Sequence, residues 1–231
     1  MCGCSGAVHQ LPQIGASDLS LAQSEVQAAD AVVVQDASHA EIVAVLRSAT
    51  KRLHRPARQV CHEMNVGVCE WDFHLSRAPS MNAAALPDGG IVVNRGVVNY
   101  AANEEEVCFV IAHEMGHQAA DHVATARRNR AVGALIGAAL ANAPDLGAEL
   151  ATIAYSKEQE READYLAALI LYRSGVDLDK ARGMLVTMAR LSGQKRTALL
   201  DTHPAGPERI AGWDRAVAEI RASNGRLPPR A

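Results

Sequence analysis

Val110-Ile111-Ala112-His113-Glu114-Met115-Gly116-His117 is the stretch around which the chain is organised. It sets His-Glu-x-x-His inside a run that reads as helix, and histidines at that spacing share one helix face. Their Cβ atoms lie ~5–6 Å apart, so both imidazoles can reach one metal ion, for which Zn–N bonds are about 2.0–2.1 Å. Glu114 is turned about 100° further round the axis and sits beside such an ion, where it can hold a water. The motif alone is a hypothesis, and its surroundings must support it.

Upstream, Asn103 precedes Glu104-Glu105-Glu106. Asn is a good N-cap, and acids favour the positive end of a helix, so the motif helix starts here and runs towards His122. Arg127, Arg128 and Arg130 read as a solvated turn. Cys69, Trp71, Phe73 and Leu75 alternate with Glu70, Asp72 and His74 as in a half-buried strand. Met81–Leu86 and Ile91–Asn94, parted by Pro87-Asp88-Gly89-Gly90, read as a hairpin. Earlier still, Ser38 with Glu41 forms a capping box. It opens a helix whose Ile42, Val43, Leu46, Thr50, Leu53, Ala57 and Val60 recur at helical spacing, and Pro56 is expected to bend or divide it. Residues 1–37 show no clear period and read as an extended or loosely docked lead-in, 38–224 as one domain.

Downstream, Ala131 to Ala143 is the longest apolar run. It falls short of the ~20 residues that span a bilayer and reads as a buried or lid-forming helix, with contact to a membrane surface as the alternative. Ser156 with Gln159 caps a helix that continues through Glu160 and Asp164 to Ser174, where Gly175 is a natural stop. A further helix fits Asp179 to about Leu191. Pro207 suits the first turn of a last one, whose Ile210, Trp213, Val217 and Ile220 form a stripe. The tail, 225–231, reads as disordered.

The chain has 231 residues, 48% hydrophobic, enough for a sizeable core, and aromatics at 3% leave that core to Ala, Val, Leu and Ile. A net charge of −3 gives no electrostatic footprint for nucleic acid. There is no pattern of a signal peptide. Of the five cysteines, Cys108 within the motif helix reads as a buried free thiol, and Cys61 and Cys69 are placed to pair across a turn, though sequence cannot fix a disulfide. Met1-Cys2-Gly3-Cys4-Ser5 would suit a lipoprotein start, which makes Cys2 a candidate lipid anchor. Cys61-His62-Glu63 imitates the beginning of a metal motif but has Val66 where a second His is needed, and Cys61, His62 and Cys69 lack a fourth ligand for a site of their own.

A catalytic zinc keeps three protein ligands and leaves a position for water. The best third candidate lies in Glu160-Arg161-Glu162-Ala163-Asp164. Glu160 and Asp164 share a face with Ala163 and Ala167, small residues that would let this helix pack closely on the motif helix. The same segment also reads as an ordinary charged helix start, and spacing does not separate the two.

Taken in order, His-Glu-Met-Gly-His, Glu-x-x-Ala-Asp and His203-Pro204 with Arg209 resemble the HtpX and CAAX prenyl protease family of zinc metallopeptidases, most closely its soluble periplasmic BepA-like and LoiP-like branch. Asn82-Ala-Ala-Ala-Leu-Pro-Asp-Gly-Gly resembles the family segment before the motif helix, so the likeness runs from about Asn82 to Arg209. It implies an α+β, mostly helical, zincin-like fold with a small sheet packed on the motif helix. It also implies one zinc per chain, with His113, His117 and Glu160 as ligands and Glu114 as general base. Asp164 would orient a ligand His or pair with Arg209. His203 would stabilise the oxyanion or occupy the open zinc position, or be a plain loop histidine. Neither prenylated substrates nor a repeat domain after the protease are expected.

The expected activity is zinc-dependent cleavage of extended or misfolded polypeptides, with loose side-chain preference, in quality control of the bacterial envelope. The compartment would be the periplasm or the inner face of the outer membrane, with the cytoplasm as alternative. Met81–Leu86, if it rims the cleft, would pair with substrate by strand addition. The rival reading is a zinc-binding, chaperone-like module kept inactive by His203.

Overall fold

The structure, a computed structural model, describes residues 6–128, 155–192, 203 and 205–231. Cys2, Cys4, Arg130, the apolar run Ala131–Ala143, Pro204 and most of the loop from Leu200 to Gly206 lie outside them.

The motif helix, α4 (Glu104–Ala119), is the centre of the fold, and every residue from Glu106 to Ala119 is buried. A helix buried all round must be covered on all sides. α2 (His39–Met64) covers one side and α5 (Lys157–Arg173) another. α6 (Leu178–Ala181) and α7 (Gly183–Ser192) close a third, and the sheet a fourth. Asn103 caps α4 by accepting from the Glu106 N–H, and Ser38 and Ser156 open α2 and α5 with capping boxes. α2 runs unbroken through Pro56; proline removes one N–H from the ladder but does not divide the helix.

The sheet has the order β1-β3-β2, with β1 (Asp72–Ser76) parallel to β3 (Gly90–Asn94) and β2 (Ala83–Ala85) antiparallel to β3. β2 and β3 are the expected hairpin, with β2 on the sheet's edge. Gln118 on α4 locks the hairpin in place, its amide donating to the Leu86 and Gly90 carbonyls, both at 2.9 Å. A short α3 (Arg95–Tyr100) leads from β3 back to α4.

Four parts of the chain differ from the reading of the sequence. The lead-in is not merely extended: α1 (Ala16–Ala28) is a helix docked against α7 and α8 (Pro207–Ala222). Ala22 is its one buried residue, so it has no apolar stripe to see. It is held instead by Arg215 on Asp18 at 2.8 Å and Arg182 on Glu25. The helix expected from Asp179 to Leu191 is interrupted at Arg182, and just after the break Gly183 lies so close to the Glu106 carboxylate that any Cβ there would collide with it.

The tail is ordered as well. Ala231 N–H donates to Val8 O and Gln10 N–H to Pro229 O, both at 2.9 Å, and Leu227 packs on the core. The motif helix ends at Ala119, and Asp121, at φ 56°, turns the chain into a second helical stretch, 122–128. Arg127 and Arg128 are therefore helical, though solvent-exposed as expected.

Cys61 and Cys69 form a disulfide, which consumes the thiols of the rejected Cys61–His62–Cys69 metal set. Cys108 is free and buried, and burial pushes its thiol up to about 12. No helix among the described residues is long and apolar enough to cross a membrane.

Candidate metal centre

All seven residues singled out from the sequence meet in one buried cluster. α4 supplies His113, Glu114 and His117; α5 supplies Glu160 and Asp164; His203 and Arg209 arrive from the loop and first turn of α8. What lets α4 and α5 come so close is Gly116, where a Cβ would stand 3.0 Å from the Ala163 carbonyl oxygen and 3.3 Å from Ala163 Cα. The small-residue face read around Ala163 thus packs against a glycine inside the motif itself.

Four side chains turn donor atoms towards one another. His117 Nε2 is 3.0 Å from His113 Nε2. Glu160 Oε1 is 3.3 Å from His117 Nε2, and Glu160 Oε2 is 3.4 Å from His113 Nε2. His203 Nδ1 is 3.2 Å from His113 Nε2 and 2.9 Å from Glu160 Oε1. Donors around a tetrahedral zinc with bonds of about 2.0–2.1 Å are separated by about 3.3 Å, so this set fits such an ion in both spacing and chemistry. It is also the one group of this kind among the described residues.

Each ring is steered from behind. His113 Nδ1 faces Asp164 Oδ1 at 3.0 Å. Asp164 is gripped by Arg209 through Nε at 2.8 Å and Nη2 at 2.6 Å, and Arg209 Nη1 also reaches Glu160 Oε2 at 2.9 Å. The two roles left open for Asp164, orienting a histidine or pairing with Arg209, are therefore both made as contacts. Burial disfavours the imidazolium of His113, but hydrogen bonds to Asp164 and Glu160 outweigh it and raise that ring to about 9. Burial of His117, aided by charge on His113 and His203, holds it well below the usual imidazole value. Desolvation alone would raise the carboxyls of Glu160 and Asp164, yet the cations around them win and both are lowered.

Glu114 lies at the side of the cluster. The Ala85 N–H of β2 donates to its Oε2 at 2.9 Å. Its Oε1 is buried and makes no hydrogen bond, the His203 Nε2 being 3.5 Å away. One oxygen is thus pinned to the edge strand and the other faces the donors.

Three further neighbours carry no signal in the sequence pattern. Tyr155 stacks on His117 with ring centroids 3.8 Å apart. His122 Nδ1 lies 3.1 Å from His117 Nδ1, and Glu162 lies 3.0 Å beyond it. On a continuous helix His122 would be rotated about 140° from His117; the turn at Asp121 brings it back, and no local spacing announces that. Burial would raise the Glu162 carboxyl, but His122, His9 and the Val8 N–H lower it to about 2.

Residues 47–216, about three-quarters of the chain, match the model of Peptidase family M48. The chain belongs to that family. Among family M48 relatives it is 34% identical over 145 residues to the mitochondrial metalloendopeptidase OMA1 of Arabidopsis thaliana, covering 60% of this chain and 30% of that protein. It is 30% identical over 153 residues to the metalloprotease LoiP of Escherichia coli, covering 60% and 59%. With the beta-barrel assembly-enhancing protease of Escherichia coli it shares 29% over 185 residues, 71% of this chain and 38% of the relative. The chain thus spans between about a third and three-fifths of these proteins' lengths. Its mostly helical α+β architecture, with a three-stranded sheet against the motif helix, is zincin-like.

Proposed function

We propose that this M48 chain is a zinc endopeptidase that cleaves extended or misfolded polypeptide. The observation that carries the reading is the convergence of His113, His117 and Glu160 beside a Glu114 carboxylate with one oxygen unengaged. His113, His117 and Glu160 would hold the ion, which when bound supplies a Lewis acid that polarises the scissile carbonyl and favours deprotonation of water. Glu114 Oε1 takes a proton from the attacking water and returns it to the leaving amine, while the Ala85 N–H keeps the other oxygen from swinging away. Arg209 and Asp164 hold the His113 ring.

In an antiparallel pair alternate residues turn their backbone groups outward. The Ala85 N–H that meets Glu114 marks Ala83 and Ala85 as those residues on β2, so an extended peptide added along this edge passes directly beside Glu114. Glu114→Gln is expected to keep zinc and fold while abolishing cleavage of unfolded casein; undiminished cleavage would reject the assigned base.

The disulfide supports an oxidising compartment. Together with the two Escherichia coli relatives, it supports a role in envelope protein quality control, in the periplasm or on the inner face of the outer membrane.

A second reading has its own observation. His203 Nδ1 stands within the donor set rather than outside it. It can therefore fill the fourth position and hold the site closed, as a chaperone-like zinc module would. Activity of His203→Ala separates the two readings: a large gain supports a plug, and a large loss supports direct assistance to the reaction.

A further inference from the structure

Behind His117 runs a line of polar groups that the proposed reaction does not use. His117 Nδ1 meets His122 Nδ1 at 3.1 Å, and His122 Nε2 meets Glu162 Oε2 at 3.0 Å. Glu162 is fully buried and accepts three more bonds, from Val8 N–H at 2.8 Å, His9 N–H at 2.9 Å and His9 Nδ1 at 2.6 Å. The segment that supplies them is itself stapled by the tail, through Gln10 N–H on Pro229 O and Ala231 N–H on Val8 O. His9 is 153 positions from Glu162 in the chain.

We propose that His122 and Glu162, clasped by residues 8–10 and 229–231, are positioning residues that fix the tautomer and aim of His117, so that metal retention depends on a segment remote from the motif. The inference rests on the zinc reading above.

A neutral imidazole carries one N–H and one lone pair, and the Glu162 carboxylate can only accept. A neutral His122 therefore places its proton on Nε2, facing Glu162, which leaves Nδ1 as a lone pair. His117 can then meet it only with an Nδ1–H, and its Nε2 is left as a lone pair aimed at the donor cluster. The carboxylate thus decides, two groups away, which nitrogen of His117 is available to a metal. The turn at Asp121 has the same consequence in the backbone, since without it the His122 ring would lie on the far side of the helix.

The experiment is a titration of the full chain with Zn2+ in competition with a chelating dye, accompanied by thermal melts of the metal-free protein. His122→Leu removes both contacts and is expected to weaken zinc roughly 10- to 100-fold. His122→Gln offers an amide oxygen to His117 and an N–H to Glu162, so it should hold zinc distinctly more tightly than the Leu variant. His9→Ala should give a smaller loss in the same direction.

Unchanged affinity in His122→Leu would overturn the proposal. So would equal losses in the Leu and Gln variants with equally lowered melts, the mark of a merely structural residue. If the Leu variant does not fold, His122→Asn, too short to bridge both partners, takes its place against Gln under the same criteria. A wild-type chain that bound no Zn2+ would instead sink the zinc reading itself, so the two failures are distinct.

Discussion

His113 and His117 are one helical turn apart and equally hidden from solvent, yet what stands behind them differs in kind. His113 backs directly onto Asp164, a carboxylate that Arg209 grips at 2.6 and 2.8 Å. His117 backs onto a second imidazole, and its carboxylate is one ring further away. The electrostatic outcome is opposite: against burial, the carboxylates at His113 raise it to about 9, while burial holds His117 well below the usual value. Glu160 touches both rings; Asp164 adds a second carboxylate at His113 alone, whereas at His117 burial and the charges of His113 and His203 outweigh Glu160. One donor cluster thus backs its two imidazoles in two ways, one directly by a carboxylate and one through a second ring.

The sharpest break of this comparison removes both supports together. If the arms act separately, Asp164→Asn with Glu162→Gln should weaken Zn2+ by the product of the single effects, roughly 10²- to 10⁴-fold. Competition titration of the two single variants and the double checks this. A double no worse than the worse single would mean that the arms are one network joined through α5.

Arg209→Leu sharpens the other side. It strands Asp164 and Glu160 as buried carboxylates, and removing one partner of a buried pair costs about 3–5 kcal/mol. Urea unfolding of the metal-free protein should show a loss of that order, with much of it recovered in saturating Zn2+, because a bound cation replaces the lost positive charge. A loss near zero would mean that Arg209 is not what balances the cluster.

The two arms also differ in how far the sequence betrays them. Asp164 follows Glu160 by one helical turn and Arg209 follows His203-Pro204 at the start of a helix; spacing alone leaves the first pair an ordinary charged helix start, and the arm becomes legible through the order of motifs that carries the family resemblance. The hairpin and the caps at Ser38, Asn103 and Ser156 are equally plain, because they rest on local turn and capping chemistry. The relay arm has no such signature. In the sequence His122 reads as the continuation of a regular helix, where it would face away from His117, and Glu162 as part of a charged helix start. His9 lies in a stretch without period. α1 escapes for a related reason: it is secured by Asp18 and Glu25 reaching Arg215 and Arg182, and ion pairs with partners far along the chain leave no periodic trace. Chain pairing between residues 8–10 and 229–231 is similarly invisible, since it uses backbone groups that every residue carries.

The smallest effect expected is the most local, and it tests why the relay arm exists at all. Asp121 sits at φ 56°, in the left-handed region, between the last turn of the motif helix and the ring that backs His117. Asp tolerates this conformation better than most residues with a Cβ, glycine adopts it freely, and a β-branched residue is strained there by ~1–2 kcal/mol. Asp121→Gly should therefore leave stability and Zn2+ affinity close to wild type, apart from the exposed Arg128 ion pair it removes, a contact worth at most about 1 kcal/mol. Asp121→Val should lose ~1–2 kcal/mol in urea unfolding and weaken Zn2+ binding as well, because the chain can relieve its strain only by rotating His122 off His117 Nδ1. A Val variant that lost stability but kept its affinity would show that the turn is merely a helix end, and that the His117 ring is held by Tyr155 stacking and its own helix rather than by the imidazole behind it.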